Sequence, residues 1–212
     1  MGTAERRARE KELLRSKILD AASQLFVEEG LPNVSLRKIA SRIEYSPATI
    51  YLYFKDKSHL FSSLCGETFA RLKDELNRLE HEETDPVLRL RRGLRCYIDF
   101  GLEHPNQYVL TFDTPRQQYE MEEASEECRE TNQIALETFD CLRRALDRCR
   151  RAGALEFEDL EAASQTTWMF IHGITSLLLL RFSQNDPRFP WVDKEKLIEN
   201  GLDTILRGLR PG

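Results

Sequence analysis

From Val34 to Leu60 the chain reads V-S-L-R-K-I-A-S-R-I-E-Y-S-P-A-T-I-Y-L-Y-F-K-D-K-S-H-L, a helical alternation of apolar and polar positions interrupted twice. Leu36, Ile39, Ala40 and Ile43 fall at i, i+3, i+4 and i+7, which puts one apolar stripe on one face, with Ser35 placed to cap the start and Arg37, Lys38 and Arg42 outside. After Glu44 and Tyr45 a second helix of about eight residues is expected, with Ser46 as N-cap and Pro47 at the first helical position, where its missing N–H costs nothing. Ile50 and Phe54 form its inward pair; Ala48, Thr49, Leu52 and Tyr53 face away, with Tyr51 at the edge. So short a helix is not stable alone, and must be held by neighbours that leave its other face open. Asp56 can cap a third helix that begins at Lys57.

The pattern on either side is helical throughout. Residues 1–12 read as a mixed-charge, frayed helix start; Leu14, Ile18, Ala21, Ala22, Leu25 and Phe26 then mark a bracing helix that stops at Gly30 and Pro32. The helix from Lys57 carries one seam through Cys65, Phe69, Leu72, Leu76 and Leu79, into the region of Glu80 to Thr84. Further helices are expected near 86–103, around Tyr108, Val109 and Phe112 after His104-Pro105, up to Gly153, over 158–182 and over 194–208. The acidic segment Glu120 to Glu130 reads as the solvated first turns of the helix ending at Gly153, and Asn185 to Pro190 as a turn-rich connector. No strand pattern appears. The fold expected is all-α: an N-terminal three-helix helix-turn-helix domain over 1–60 and a C-terminal helical domain for ligand binding and dimerisation over 61–212.

The helix over 158–182 is apolar almost all round, from Trp168 to Leu180, and a monomer of this size cannot cover every side of it. The last helix offers a second strip at Leu197, Ile198, Leu202, Ile205, Leu206 and Leu209, with Gly201 and Gly208 allowing close approach. Pairing both with their twofold mates gives a four-helix bundle, hence a homodimer.

Charge changes this picture in one respect. The chain carries a net charge of -5, which suits a nucleic-acid partner only when divided: residues 1–60 hold 11 basic and 8 acidic side chains, a balance of +3, and the remainder is acidic. Cys65, Cys96, Cys128, Cys141 and Cys149 are scattered and lack metal-ligand spacing, which with the absence of an apolar N-terminal signal points to reduced thiols in a cytoplasmic protein. No run is long and apolar enough for a membrane span. Nothing supplies an oxyanion loop, a phosphate-binding glycine run or a metal cluster, so neither enzyme activity, a metal nor a cofactor is expected.

A short exposed helix bearing hydroxyls and aromatics, flanked by basic residues, suits the DNA major groove. The motifs S-x-x-x-I-A from Ser35, S-x-x-T-I-Y-x-Y-F-K-x-K from Ser46 and F-x-x-x-G from Phe26 resemble the DNA-binding domain of the TetR family of transcriptional regulators over residues 15–64. That resemblance implies that Ser46, Pro47, Ala48, Thr49, Leu52 and Tyr53 lie against bases and backbone of a palindromic operator. It implies too that Tyr51 and Lys57 bond phosphates, with Ser35 and Arg37 on the flanking strand. Glu44 stands where the family has a turn glycine, so the turn must accept a residue that disfavours positive φ, and Ala48 replaces a common glycine. The run W-M-F-I-H-G at Trp168 to Gly173, with H-P-N-Q-Y earlier, resembles the regulatory domain of the subgroup named for its Trp, His and Gly. It implies a pocket for a small apolar ligand, in which Trp168, His172 and Thr175 meet Tyr97, Phe100, Tyr108, Phe112 and Phe139. The function expected is a repressor released from DNA by that ligand; the alternative is a nucleoid or cell-division factor with the same DNA-binding head.

Overall fold

The computed structural model describes residues 3–79, 84–114, 126–182 and 192–210, and among these it is helical with no strand. The elements are α1 (Thr3–Glu29), a 3-10 turn at Leu31–Asn33, α2 (Leu36–Arg42), α3 (Pro47–Tyr51), α4 (Lys57–Leu79), α5 (Pro86–Glu103), α6 (Pro105–Tyr108), a π turn at Val109–Asp113, α7 (Glu126–Arg151), α8 (Leu160–Phe182) and α9 (Lys194–Gly208). Residues 120–125 of the acidic segment, the end expected for α4 within 80–83 and the connector Asn185 to Pro190 lie outside the described residues.

One expectation is sharpened and one is corrected. The N-terminal arm, expected as a frayed helix start, is the first part of α1, which runs unbroken from Thr3. Its Arg, Glu, Lys and Ala residues are strong helix formers, and Arg6 pairs with Glu10 one turn on at 3.6 Å. α3 spans 5 residues, Pro47–Tyr51, because the chain tightens at Leu52, its C-cap: the N–H groups of Tyr53 and Phe54 both donate to Ile50 O, at 2.9 and 3.0 Å.

The chain forms two compact units. The first comprises Met1–Thr68 with Asn106–Asn132, the second Phe69–Pro105 with Gln133–Gly212. In the first unit Ile18, Ala22, Leu25 and Phe26 of α1, Leu36, Ile39 and Ala40 of α2, Ile50 of α3 and Leu60, Phe61 and Leu64 of α4 are buried, and Phe26 meets Phe61 edge-on at 6.0 Å. The π turn packs on α1 in the same unit, with Tyr108 and Leu110 buried. In the second unit α5 packs on α8 and α9, and α8 on α9, around Leu90, Leu94, Ile98, Ile171, Leu178, Ile198 and Leu202.

The α2–α3 turn shows how this sequence closes a helix without glycine. Tyr45 N–H donates to Ala40 O at 2.9 Å and Glu44 N–H to Ser41 O at 3.3 Å, the paired closure of a Schellman motif. Glu44 sits at its left-handed position with φ 63°. On α1, the Lys17 ammonium donates to Ile43 O at 3.5 Å and lies 5.3 Å over the Tyr45 ring, so a cation covers the carbonyl end of α2. Left-handed backbone costs a non-glycine residue roughly 1–2 kcal/mol. Glu44→Gly is therefore expected to raise stability by about 1 kcal/mol, read as a shifted urea midpoint; an unchanged or lowered midpoint would show that Glu44 earns its place by a contact.

Gly201 corrects the expected use of the last helix. A Cβ there would come within 2.6 Å of Ile174 Cδ1, so this glycine serves the α8–α9 packing inside the chain. Ile198, Leu202 and Leu206 are likewise core. The side of α9 that remains is Leu197, Ile205 and Leu209, half-buried, with Gly208 open.

Candidate nucleic-acid interface

Each element of the reading head is started by its own side chain. Ser35 accepts from Lys38 N at 3.3 Å to cap α2, and Ser46 accepts from Thr49 N at 3.2 Å to cap α3 while its hydroxyl lies 2.9 Å from that of Thr49. Asp56 caps α4 by accepting from His59 N at 2.7 Å. With Ile50 and Phe54 turned inward and at most 1% exposed, the opposite side of α3 is left to solvent. Ser46, Pro47 and Ala48 are exposed, Thr49 and Tyr53 half-buried, Tyr51 52% and Leu52 81% exposed. Exposed apolar surface on so short a helix is what a groove-reading element presents before it docks.

The cations around it divide into tethered and untethered. Lys38 pairs with Glu29, and Arg42 with Glu28 at 2.9 Å, both on α1. Arg37 is exposed and, among the described residues, has no such carboxylate. The Lys57 ammonium is turned onto the 3-10 turn, donating to Leu31 O at 2.9 Å and Pro32 O at 3.4 Å. It sits beside the start of α4, with two of its three N–H groups engaged by those carbonyls. Sequence spacing could not disclose this, nor that Lys55 pairs with Glu127 at 2.6 Å across a separation of 72 residues.

The residues expected around a ligand are distributed between the two units. In the second, Tyr97 Oη lies 3.3 Å from His172 Nδ1, and Trp168 stacks on His172 with centroids 5.1 Å apart. Thr175 is buried and donates to Ile171 O at 2.8 Å, which satisfies it on its own helix. Phe139 lines a surface groove of about 440 Å³ with Leu136 and Arg143. In the first unit, the Tyr108 and Phe112 rings meet at a tilt of 39° with centroids 4.9 Å apart.

Phe100 instead lines a groove of about 730 Å³ in the second unit with Arg78, Arg91, Arg95, Glu75 and Glu199. There Arg91 pairs with Glu199 and, at 3.0 Å, with Asp203, and Arg95 with Asp99, Glu195 and Glu199 at 2.7–2.9 Å. This charged wall was missed at the sequence level. The run L-R-L-R-R-G-L-R was its one visible sign.

All five cysteines are free. Burial pushes the Cys65 thiol up to about 12, Cys96 to about 12 with the nearby Glu75 carboxylate adding to it, and Cys149 to about 11. A thiol nucleophile or redox sensor needs a depressed value, the opposite shift. Among the described residues no helix is long and apolar enough to cross a membrane, and no group of His, Cys, Asp or Glu could hold a metal ion.

Comparison with known proteins accords with this geometry. Residues 18–64 match the family described as bacterial regulatory proteins, tetR family, and residues 90–204 the tetracyclin repressor-like C-terminal domain. The chain is 26% identical over 201 residues to the HTH-type transcriptional repressor BepR of Brucella suis biovar 1, covering 92% of this chain and 87% of that protein. It is 30% identical over 92 residues to the nucleoid occlusion factor SlmA of Vibrio vulnificus, covering 43% of this chain and 47% of the factor. The chain thus spans about half the length of several curated relatives it matches. A bacterial regulatory protein in the tetR family from Rhodococcus RHA1 has the same fold, with a TM-score of 0.75 at 18% identity over 93% of this chain and 97% of that one. With both halves matched and the reading head assembled as described, the chain belongs to the TetR family of DNA-binding transcriptional regulators.

Proposed function

We propose that this chain is a homodimeric cytoplasmic repressor without enzymatic activity, held on a palindromic operator and released by a small apolar ligand. The observation that carries it is the open outer side of α3 and its C-cap Leu52, which is 81% exposed while Ile50 and Phe54 on the other side are at most 1% exposed. Residues 1–60 act as the head that contacts DNA. Ser46, Pro47, Ala48, Thr49, Leu52 and Tyr53 enter the groove, Tyr51 and Lys57 hold the phosphates, and Ser35 and Arg37 take the flanking strand. Residues 61–212 dimerise and receive the ligand.

Dimerisation is supported by α8, where Met169, Leu177 and Leu180 are 64%, 52% and 55% exposed in a single chain and share a side with the open Gly173. Two heads held about 34 Å apart meet successive major grooves. The Trp168–His172–Tyr97 cluster supports a ligand contact, since aromatic faces beside a few polar atoms are what small-molecule sites use. α4 runs unbroken from Lys57 to Leu79, a continuous path from the head into the C-terminal half. A ligand relieves repression when it favours the released state by ~1–3 kcal/mol. The nucleoid occlusion reading rests on similarity over 43% of the chain and is the weaker one.

The test is binding to duplexes drawn from DNA flanking the protein's own coding sequence, with a scrambled duplex as competitor. A specific site is expected to bind at least about 10³-fold more tightly than the scrambled one. Arg37→Ala is expected to weaken all duplexes alike and to reduce the salt slope by about 1. Equal affinity for every duplex would overturn the operator reading, and no binding at low salt would overturn the function altogether.

A further inference from the structure

Among the head's lysines and arginines, Lys55 has an unusual partner. Lys38 and Arg42 are tied to α1, Arg15 to Glu67 of α4, and Lys57 to the carbonyls of Leu31 and Pro32, all within the first 68 residues. Lys55, three residues beyond the C-cap of α3, instead pairs at 2.6 Å with Glu127, in the first turn of α7 and in the same compact unit. Glu127 is not placed there by chance. Four residues on, the Thr131 hydroxyl donates to Ser62 O of α4 at 3.1 Å, and Cys128 beside it is buried, so this turn is fastened to the head.

A carboxylate and a phosphate oxygen offer an ammonium the same kind of acceptor. The Lys55 hydrogen bond holds Glu127 below the usual carboxylate range, and the start of a helix favours negative charge, so Glu127 is ionised at neutral pH. The Lys55 side chain is 58% exposed, and exposed pairs are weak enough to exchange.

We propose that Lys55 is a backbone-phosphate contact of the reading head and that Glu127 is its built-in stand-in, occupying the lysine until a duplex phosphate displaces it. This rests on the DNA-binding reading above. The first turn of α7 then sets how much positive charge the head offers to DNA, and any shift of that turn changes affinity without touching α3.

The test is fluorescence anisotropy with a labelled non-specific duplex at several low salt concentrations, each variant's helix content being checked by circular dichroism. Glu127→Gln is expected to raise affinity about 2- to 5-fold, the range of an exposed ion pair. Lys55→Met is expected to lower affinity and flatten the salt slope by about one phosphate, with Lys55→Arg restoring both. The double variant Lys55→Met/Glu127→Gln is expected to bind as Lys55→Met does, and Glu126→Gln, on the neighbouring exposed carboxylate, to have little effect.

An unchanged affinity and slope in Lys55→Met, or a gain from Glu127→Gln that persists without Lys55 or is matched by Glu126→Gln, would overturn the proposal while leaving DNA binding intact. A wild-type protein that binds no duplex at low salt overturns the function and this proposal together.

Discussion

Phe54→Ala is expected to cost about 3–5 kcal/mol and to abolish duplex binding. The ring is 1% exposed, with the Arg15 guanidinium carbon over it at 5.6 Å and His59 edge-on at 5.6 Å. It sits at the hinge between α3 and α4, where its N–H also closes the last turn of α3. Removing it leaves a cavity on the one side of α3 that has packing, and a five-residue helix has no stability of its own to fall back on. A whole domain is stable by only about 5–15 kcal/mol, so the loss is a large share of the total. Both tryptophans, Trp168 and Trp191, lie in the C-terminal half, so urea unfolding should be followed by circular dichroism alongside duplex binding. A midpoint shift worth under about 1 kcal/mol, or retained binding, would show that α3 is held by something other than this ring.

The second large effect is expected from Met169→Arg/Leu177→Arg on α8. Both positions are exposed in the single chain, so the helix itself should survive the change. At the proposed α8 interface two guanidinium groups would face their twofold copies and bury like charge, so the variant should sediment as a species of 24.7 kDa. Losing the second head removes the gain of bivalent attachment, roughly 10²-fold or more in affinity. A variant that still sediments at twice the chain mass would place the interface elsewhere.

The elements easiest to read were those whose signals are local. α9 begins and ends at Lys194 and Gly208 as the sequence suggests, because Asp193 caps it by accepting from Lys196 N at 3.1 Å and the apolar spacing holds to its end. The strained turn was visible in Glu44 itself, since the motif demanded a left-handed residue there and the chain offered none better. The first turns of α1 carry no apolar seam, which is why they read as frayed; high-propensity residues and the i,i+4 pair Arg6–Glu10 carry the helix to Thr3. α3 was read too long because apolar period alone does not register a tightened final turn.

Of the candidate interface, the exposure of Ala48 and Leu52 followed from periodicity, whereas Thr49 and Tyr53 are half-buried and Tyr51, expected at the edge, is 52% exposed. The state of the cations did not follow from periodicity. Whether a lysine is free, turned onto a carbonyl as Lys57 is, or matched with a carboxylate 72 residues away as Lys55 is, depends on tertiary placement that no spacing encodes. The α5–α9 ion pairs were hidden for the same reason, as both partners read as ordinary solvated helix faces.

The buried thiols make this protein a quiet background for site-directed labelling. Cys65, Cys128, Cys141 and Cys149 are enclosed and Cys96 is held protonated well above neutral pH, so maleimide chemistry should pass them by. A single cysteine introduced at Leu52, the C-cap of α3, would then be the preferred attachment point for a spin label, and in the proposed dimer the distance between the two labels would measure the span that DNA must match.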